Sequence, residues 1–507
     1  STAKMENLYL YLALALASLL VVLVRGRRTA VKDSLRLPPS PWALPIIGHL
    51  HHLAGALPHR AMRALSLRHG PVMLLRLGEV PTLVVSSRDG AREVMKTHDT
   101  AFASRPLSAS VRAISNGGRG IVFAPYGDRW RQLRKIAVME LLTAQQVVSF
   151  RAVREEEVAS MLRGLAAAAT AARPVEMGSR LSTLTSDTTA RIAMGDRCKD
   201  RDLFLGKLER CIELVAGFNP VDLWPSSRLA GLVSGAVKQA KECKDTVYEI
   251  LDGVIQEHLA RLGDGHAEDL LDVLLKIQKD DGLQFPVDMD DIKAVIFEVF
   301  AAGTETTSTT LEWVIAELIR NPRVMEKATA EVRRTFEAGG EVVEGRLGDL
   351  PYLQLVIRET FRLHSPVPLL LPRECREPCK VLGYDVPLGT QVVVNVWALG
   401  RDEQYWDAPE EFRPERFQTT GVTVDFRGAD FELLPFGAGR RMCPGAAFGL
   451  TSVEYTLACL LLHFNWEASP GLADPAQLDM TEAFVMTSRR KADLLLRPIL
   501  RVPVPNA

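Results

Sequence analysis

The sequence of 507 residues has few cysteines, no surplus of charge of either sign and no internal repeat. Its seven cysteines include no C-x-x-C pair, which excludes a disulfide scaffold, argues against a structural zinc knuckle and suits a reducing compartment. The net charge is −1, from 61 Lys and Arg against 62 Asp and Glu. That balance excludes a globally basic nucleic-acid-binding protein and an acidic disordered chain. There is also no convincing G-x-G-x-x-G loop and no flavodoxin-like region, so we predict no nucleotide site within the chain.

One long apolar run stands out near the start. Residues 7–24 carry no charge, and four basic residues follow between positions 25 and 32. A helix of ~18 residues spans roughly 27 Å, enough for a bilayer core. The basic cluster after the run places the rest of the chain on the cytosolic side. A cleaved signal peptide would need a basic segment first and a small-residue cleavage site, but only Lys4 precedes the run.

We therefore divide the chain into three parts. Residues 1–36 are expected to form the membrane anchor and its basic stop. Residues 37–45 are rich in proline, cannot be helical and are predicted to form a stiff hinge. Length alone suggests about three domains of ~150 residues, but no long linker divides 46–507, which we take as one catalytic domain.

That domain is predicted to be mainly α with small β-sheets. Residues 72–78 and 82–86 have the pattern of a β-hairpin, and strand patterns return near 379–395. Apolar residues elsewhere recur with helical spacing. Helices are predicted at about 128–143, 150–169, 178–194, 204–217, 231–262, 268–280, 289–320, 322–336, 352–363 and 446–464.

The strongest chemical signal surrounds Cys443. The segment 435–445 reads PFGAGRRMCPG, and a helical pattern follows at once. A thiolate near a helix N-terminus is stabilised by the helix dipole and free N–H groups, and glycines allow a large flat ligand to approach the backbone. A single cysteine is ordinarily a buried, inert thiol, but the glycine spacing and paired arginines favour a ligand here.

This segment resembles the haem-binding loop of cytochromes P-450, with the pattern F-x-x-G-x-R-x-C-x-G. The resemblance implies that haem b binds here and that the Cys443 thiolate is the axial ligand of the haem iron. It covers nearly the whole chain, is closest to plant microsomal members of the seventy-one clan, and implies the cytochrome P-450 fold, with the haem between a long central helix and the cysteine loop. The loop positions expected to contact the haem are Phe436, Gly437, Arg441, Cys443 and Gly445.

A polar stretch interrupts the apolar helix predicted at 289–320. It reads AGTETT over residues 302–307, and hydroxyls and a glycine within a helix are costly, so the stretch is predicted to line a cavity. It resembles the family's (A/G)-G-x-(D/E)-T motif. By that resemblance, Thr306 would stand beside bound dioxygen, Glu305 would relay protons, and Ala302 would leave room for oxygen.

Two further motifs place arginines. Glu359 and Arg362 share a helix face at spacing i, i+3, and the family's P-E-R-F motif at 414–417 implies that Arg416 joins them in a buried structural triad. Trp130 and Arg134 share a face of another predicted helix. The resemblance implies that both, with Arg373 and Arg441, bind the haem propionates, as arginine–carboxylate chemistry allows.

The resemblance also suggests an apolar pocket and therefore a lipophilic substrate, although each residue taken singly is better explained as generic core. The pocket positions are Val111, Ile114, Phe218, Phe300, Val367, Leu370, Phe484 and Val485.

The family likeness implies a monooxygenase of the endoplasmic reticulum membrane that inserts one oxygen atom from O2. Its substrate would be a plant specialised metabolite, such as a terpenoid or an indole-derived compound, or a xenobiotic. Electrons would come from NADPH through cytochrome P-450 reductase, with a cytochrome b-type donor as an additional source. Arg131 and Lys135 are candidates for docking the acidic reductase. Two alternatives stay open: a peroxide-rearranging or dehydrating haem enzyme, and a non-catalytic haem carrier or sensor. Both have less need of the acid–threonine pair.

Overall fold

A computed structural model describes residues 35–195, 200–216, 218–261, 269–279, 282–419, 425–426, 428–468 and 474–505. The apolar run expected to form the membrane anchor lies outside the described residues. The hinge at 37–45 lacks regular secondary structure over almost its whole length, as its prolines require.

Helices dominate the described chain, as the periodicity predicts. The α-helices are α1 (Pro58–His69), α2 (Arg88–Arg92), α3 (Ala109–Ile114), α4 (Asp128–Ile136), α5 (Ala144–Ser149), α6 (Arg151–Thr170), α7 (Met177–Met194), α8 (Arg201–Val215), α9 (Pro220–Leu223), α10 (Arg228–Ser234), α11 (Ala236–Arg261), α12 (Leu270–Gln278), α13 (Met289–Arg320), α14 (Pro322–Phe336), α15 (Pro351–Leu363), α16 (Val396–Leu399), α17 (Arg416–Thr419) and α18 (Ala446–His463). Two π-helical turns cover Glu93–Thr97 and Ala137–Leu141, and short 3-10 turns cover Leu50–His52, Glu337–Gly339, Glu344–Asp349, Gly439–Arg441 and Pro475–Gln477.

The strands form four small sheets. They are β1 (Val72–Leu77), β2 (Val80–Val85), β3 (Val175–Glu176), β4 (Arg373–Glu374), β5 (Cys379–Val381), β6 (Tyr384–Val386), β7 (Gln391–Val394), β8 (Phe464–Ala468), β9 (Glu482–Phe484), β10 (Ser488–Arg490) and β11 (Leu495–Leu500). The largest sheet has the order β1-β2-β7-β4, in which β2 and β7 are parallel and the other neighbours antiparallel. The hairpin turn consists of Gly78 and Glu79 alone, so β2 begins two residues earlier than the pattern indicates. Gly78 allows this tight turn because it adopts the left-handed φ of +64°.

The long helix α13 runs through the centre of the protein. It begins at Met289 behind a capping box formed by Asp288 and Asp291, and ends at Arg320, as predicted. It packs against α7, α15 and α18. Most of its side chains are buried, so it provides a rigid wall for any site that it lines.

One helix predicted as continuous is two helices in the structure. The segment expected as a single helix over 231–262 is divided into α10 and α11, because Gly235 takes a left-handed conformation at φ +58°. Within the described residues, α18 alone is long and apolar enough to cross a membrane. More than half of it is buried inside the protein, however, as in a core helix.

Candidate active site

The cysteine loop is shaped by glycines. Gly437 and Gly439 adopt φ values of +66° and +68°, which disfavour residues with a Cβ. A Cβ on Gly439 would also lie 2.3 Å from the carbonyl oxygen of Met95. The loop closes where the amide of Cys443 donates to the carbonyl of Phe436 at 2.9 Å. Cys443 therefore stands directly before α18, which begins at Ala446.

The thiol of Cys443 is accessible but almost completely surrounded by protein. These two facts agree because the thiol faces an internal cavity. Burial raises its pKa, while the Gly445 amide that donates to the sulfur, and the nearby Arg134 guanidinium, lower it. On balance the pKa of Cys443 is raised, so the surroundings alone favour the thiol, and a cation bound to the sulfur would be needed to hold it as a thiolate.

The cavity in front of Cys443, here called the central cavity, has a volume of about 930 Å³, part of it open to solvent, and is mainly apolar. Its lining joins the cysteine loop to one face of α13. Of the expected site residues, it brings together Ala302, Thr306, Phe436, Cys443 and Gly445. Phe436 is held there by an edge-on contact with Phe361, with the ring centres 5.2 Å apart.

Ala302 and Thr306 form the α13 side of the central cavity. Ala302 is exposed although it lies in the middle of a core helix, because only a methyl group separates the backbone from the cavity. The hydroxyl of Thr306 donates to the Ala302 carbonyl at 2.7 Å. The expected pairing of these two positions on one face is therefore present.

Glu305 points away from the central cavity. It lines a second space, here called the polar cavity, which is bordered by carboxylates, hydroxyls and basic side chains, including Ser308, Glu312 and Arg489. The carboxylate accepts a short hydrogen bond from the hydroxyl of Thr487, and burial raises its pKa. Burial likewise raises the pKa of Glu312 to about 7. Adjacent residues of α13 thus face two different compartments.

Four arginines are crowded together beside the cysteine loop: Arg105, Arg134, Arg373 and Arg441. Burial, together with the charges of Arg373 and Arg134, lowers the pKa of Arg441 to about 9. Burial, Arg441, Arg373 and Arg134 also lower the pKa of Arg105. Such like-charge crowding is unfavourable unless anions compensate it. Two carboxylates near Arg441, those of Asp99 and Glu298, oppose the lowering of its pKa. This arrangement fits a ligand with two carboxylates, as haem has.

The four arginines are held in place by backbone oxygens. Arg441 donates to the carbonyl of Ala103 at 2.6 Å, and Arg105 donates to the carbonyl of Pro372 at 2.9 Å. Arg373 donates to the carbonyl of Ala438 at 2.7 Å and also to the carboxylate of Asp99 at 3.2 Å. Arg134 bonds the carbonyl of Met442, next to Cys443. The cluster is therefore preorganised before any ligand binds.

Trp130 supports the cluster from behind. Its indole N–H donates to the Ile121 carbonyl at 2.9 Å, and its ring lies 4.1 Å from the Arg441 guanidinium. In this conformation its N–H is committed to the backbone, so a bond to a propionate stays a prediction. Arg131 and Lys135, on the same helix, are exposed.

Glu359, Arg362 and Arg416 form one buried ion-pair cluster. Arg362 donates to both Glu359 oxygens at 2.8 Å, and Arg416 donates to Oε1 at 2.9 Å. Both arginines also bond backbone carbonyls of the segment 400–411. The cluster thereby fixes the irregular chain that leads toward the cysteine loop.

The expected pocket residues are only partly brought together. A third space, here called the access cavity, encloses about 1070 Å³, part of it open to solvent, and its lining is chiefly apolar. It is lined by five of the expected positions: Val111, Phe218, Leu370, Phe484 and Val485.

The other three expected positions do not line the access cavity or the central cavity. Phe300 is buried against Phe204, with ring centres 4.7 Å apart, because it faces away from Ala302 on α13. Ile114 is packed into the same apolar core cluster. Val367 is half-buried in the turn that precedes Leu370. For Phe300 and Ile114 the generic core interpretation fits better than the pocket prediction, whereas Val367 is part of neither a core cluster nor these two cavities.

The motifs gave no indication of Glu298, although it lines the central cavity. Its carboxylate accepts from the amides of Val122 at 3.0 Å and Phe123 at 3.4 Å. Burial raises its pKa to about 7, although those hydrogen bonds oppose the shift. An acid within the otherwise apolar run 294–300 is a signal that could have identified it. Arg105, by contrast, lies in a segment with no distinguishing pattern.

Three comparisons place this geometry among known proteins. A sequence model described as Cytochrome P450 matches residues 38–494. The chain is 46% identical over 501 residues to desmethyl-deoxy-podophyllotoxin synthase of Sinopodophyllum hexandrum, covering 97% of both chains. It is 45% identical over 480 residues to premnaspirodiene oxygenase of Hyoscyamus muticus, covering 94% of this chain and 95% of the relative. A zebra fish cytochrome P450 structure with abiraterone superposes with a TM-score of 0.74 at 26% identity, covering 88% of this chain and 99% of that one.

Proposed function

The chain belongs to the cytochrome P450 family, whose members bind haem, and from that premise we propose a specific monooxygenase function. The protein hydroxylates a lipophilic small molecule of plant specialised metabolism, using O2 and electrons that a separate reductase delivers from NADPH. The observation that carries this proposal is the central cavity, in which Cys443, Ala302 and Thr306 line the same space.

The residues present fit a haem. Cys443 would hold the iron, Phe436 and Gly445 would border the ring, and the arginine cluster would pair with the two carboxylates. When bound, a haem held by the Cys443 thiolate would supply the activation of dioxygen. The protein's own contribution is to exclude water and to place donors and protons at defined atoms.

Thr306 and Glu305 are proposed to divide proton handling between two compartments. The Thr306 hydroxyl lines the central cavity and can hold a water there once it releases the Ala302 carbonyl. Glu305 lies in the polar cavity, where burial raises its pKa above the usual carboxyl range, and a buried carboxyl group of this kind can take and give protons. Protons would therefore pass from the polar cavity across α13.

The access cavity supports a lipophilic substrate. Its wall is formed largely by Leu, Val, Phe and Met side chains, which stabilise apolar ligands by removing their surface from water. The two relatives are named for a diene and for a deoxy-podophyllotoxin. Similar identity therefore accompanies different substrates. The cavity supports a terpenoid-like hydrocarbon skeleton best, because the described wall offers few charged groups.

The membrane and electron-transfer parts of the proposal follow the sequence. Residues 1–36 would anchor the protein in the endoplasmic reticulum, 37–45 would form the hinge, and 46–507 would face the cytosol. Exposed Arg131 and Lys135 lie on α4, the helix that carries Arg134 beside the cysteine loop. A positive surface there would attract an acidic reductase or a cytochrome b-type donor.

The decisive experiment combines a spectrum with isotope labelling. The full chain is purified with haem, and the reduced protein is exposed to carbon monoxide. A thiolate-type red-shifted Soret band is expected, and Cys443→Ser should abolish it, whereas Cys459→Ser, which removes a buried thiol of α18, should retain it. Incorporation of one 18O atom from 18O2 into product, only with reductase and NADPH, is the expected activity.

Two outcomes would overturn the proposal. Product formation from an organic hydroperoxide without reductase, and without 18O from O2, would indicate the rearranging alternative. Reversible reduction with no product from any member of a lipophilic substrate panel that shifts the haem spin state would indicate a carrier or sensor.

A further inference from the structure

Two pairs of cysteines contact each other in the described chain, and neither pair takes part in the site above. The thiols of Cys375 and Cys379 hydrogen-bond each other, and so do those of Cys211 and Cys243. All four are free thiols. The pairs share this contact but differ in their surroundings.

Cys375 and Cys379 lie at the two ends of a short connection. Cys375 follows β4, and Cys379 is the first residue of β5. The Cys375 sulfur lies 3.7 Å from the carbonyl oxygen of Val386, and Val386 is the β6 residue paired with Cys379. The side chain of Cys375 is thereby directed to the same end of the β5–β6 hairpin as Cys379.

Access distinguishes this pair from the other. Cys375 is fully buried, but Cys379 is partly exposed, and the three residues that connect them (376–378) are all exposed. Cys211 and Cys243, in contrast, are 1% and 5% exposed between α8 and α11. An oxidant dissolved in water can reach Cys379, whereas both members of the second pair are shielded.

We propose that Cys375 and Cys379 form an oxidative modification site, at which a hydroperoxide converts the two thiols into a reversible disulfide. The exposed Cys379 sulfur attacks the terminal oxygen of the hydroperoxide. The O–O bond breaks, which gives a sulfenic acid on Cys379 and releases one water or alcohol. The Cys375 sulfur then attacks the sulfenic sulfur, an S–S bond forms, and a water leaves. Two thiols lose two electrons and two protons, and one hydroperoxide is reduced.

Local structure favours closure of the disulfide. The two sulfurs are already in contact, and the exposed connection can adjust to the dihedral angle that an S–S bond requires. The ends of the connection are fixed, because the Cys375 amide donates to Thr390 at 2.9 Å and the Arg376 amide donates to Ala101 at 2.8 Å. The hydrogen bond from the Cys379 thiol lowers the pKa of Cys375 and raises that of Cys379, so thiolate character favours the second step, whereas exposure favours Cys379 for the first.

The test uses the full-length haem-loaded protein treated with hydrogen peroxide, then with an alkylating reagent, and digested with trypsin. Trypsin cuts after Arg373, Arg376 and Lys380, so Cys375 and Cys379 fall in different short peptides. The expected product is peptide 374–376 joined to peptide 377–380 by a disulfide, which dithiothreitol separates. A parallel treatment with diamide, which oxidises thiols without an O–O bond, should give the same pair independently of any reaction at the haem.

The internal control is the second pair. Cys211 and Cys243 should become alkylated after unfolding, at the level of the untreated protein. Cys379→Ser should lose the joined peptides and leave Cys375 reduced. Three results would overturn the proposal: a sulfinic or sulfonic acid on Cys379 with Cys375 still a thiol, equal oxidation of both pairs, or no loss of free thiol at 375 and 379 while other cysteines oxidise. None of these readouts depends on monooxygenase activity.

Discussion

The hydroxyl of Thr306 donates to the carbonyl of Ala302 at 2.7 Å, one turn back along α13. The bond orients the Thr306 hydroxyl within the central cavity. It also gives the hydroxyl hydrogen an acceptor when no water is bound there. Exchange of that carbonyl for a water costs little, because one hydrogen bond replaces another. The relationship makes Thr306 a hydroxyl that can change partner without any movement of the helix.

Removal of this hydroxyl should separate electron use from product formation. Thr306→Ala is expected to bind haem and to consume NADPH, but to release peroxide or water in place of much of its product. Thr306→Ser retains the hydroxyl and is expected to restore most of the coupling. The measurement is product formed per NADPH oxidised, and an unchanged ratio in Thr306→Ala would contradict the proposed role.

Loss of one partner from the triad should destabilise the fold. Arg416→Met leaves the buried Glu359 with one fewer cationic partner, and the expected loss of unfolding free energy is about 3–5 kcal/mol. Arg413→Ala is the matched control, because its side chain pairs with exposed Asp407, and such surface pairs contribute about 0–1 kcal/mol. Urea unfolding of both variants tests this, and equal stability losses would refute it.

Glu298 should make stability depend on pH. Its pKa in the folded protein is about 7, against 4.5 for an ordinary glutamate. Between these two pH values the folded state therefore holds a proton that the unfolded state has released. Stability is therefore greatest below pH 4.5 as far as this group is concerned, and it falls as pH rises to about 7. Glu298→Gln should remove this contribution, on the order of 3 kcal/mol.

The check on Glu298 is the slope of unfolding free energy between pH 5 and pH 8, which are about the limits of the expected transition. A slope that is the same in Glu298→Gln and in the unaltered protein would show that another group titrates in this range.

Two phenylalanines, both expected in the pocket, should behave differently. Phe484→Ala alters the wall of the access cavity and should change the affinity of a substrate, measured by the haem spin-state shift. Phe300→Ala removes a buried ring from the core and should cost about 3–5 kcal/mol of stability with a smaller change in affinity. The reverse pattern would place the substrate on the other side of α13.

The sequence predicted the parts of the site that depend on local chemistry. The cysteine loop and the AGTETT stretch contain residues whose spacing is meaningful within one segment, and α13 has the predicted bounds. The pocket was harder to predict. Phe300 and Phe484 are both apolar, and only the packing of α8 against α13 and the course of the β9–β10 hairpin decide which one faces a cavity.

Glu298 and Arg105 illustrate a second limit. The carboxylate of Glu298 accepts hydrogen bonds from amides some 175 positions earlier in the chain. The pKa of Arg105 is lowered by arginines that are distant in sequence. Hydrophobic periodicity describes which face of an element is buried, but it does not report which long-range polar partners meet there.

The crowding of Arg105, Arg134, Arg373 and Arg441 links cofactor supply to the lifetime of the protein in the cell. An anionic ligand that binds only the folded state stabilises it by mass action, and here it would also relieve repulsion among buried guanidinium groups. The stability of the fold is then linked to haem binding. Cells short of haem should accumulate less of this polypeptide, because the unloaded chain spends more time open to proteases.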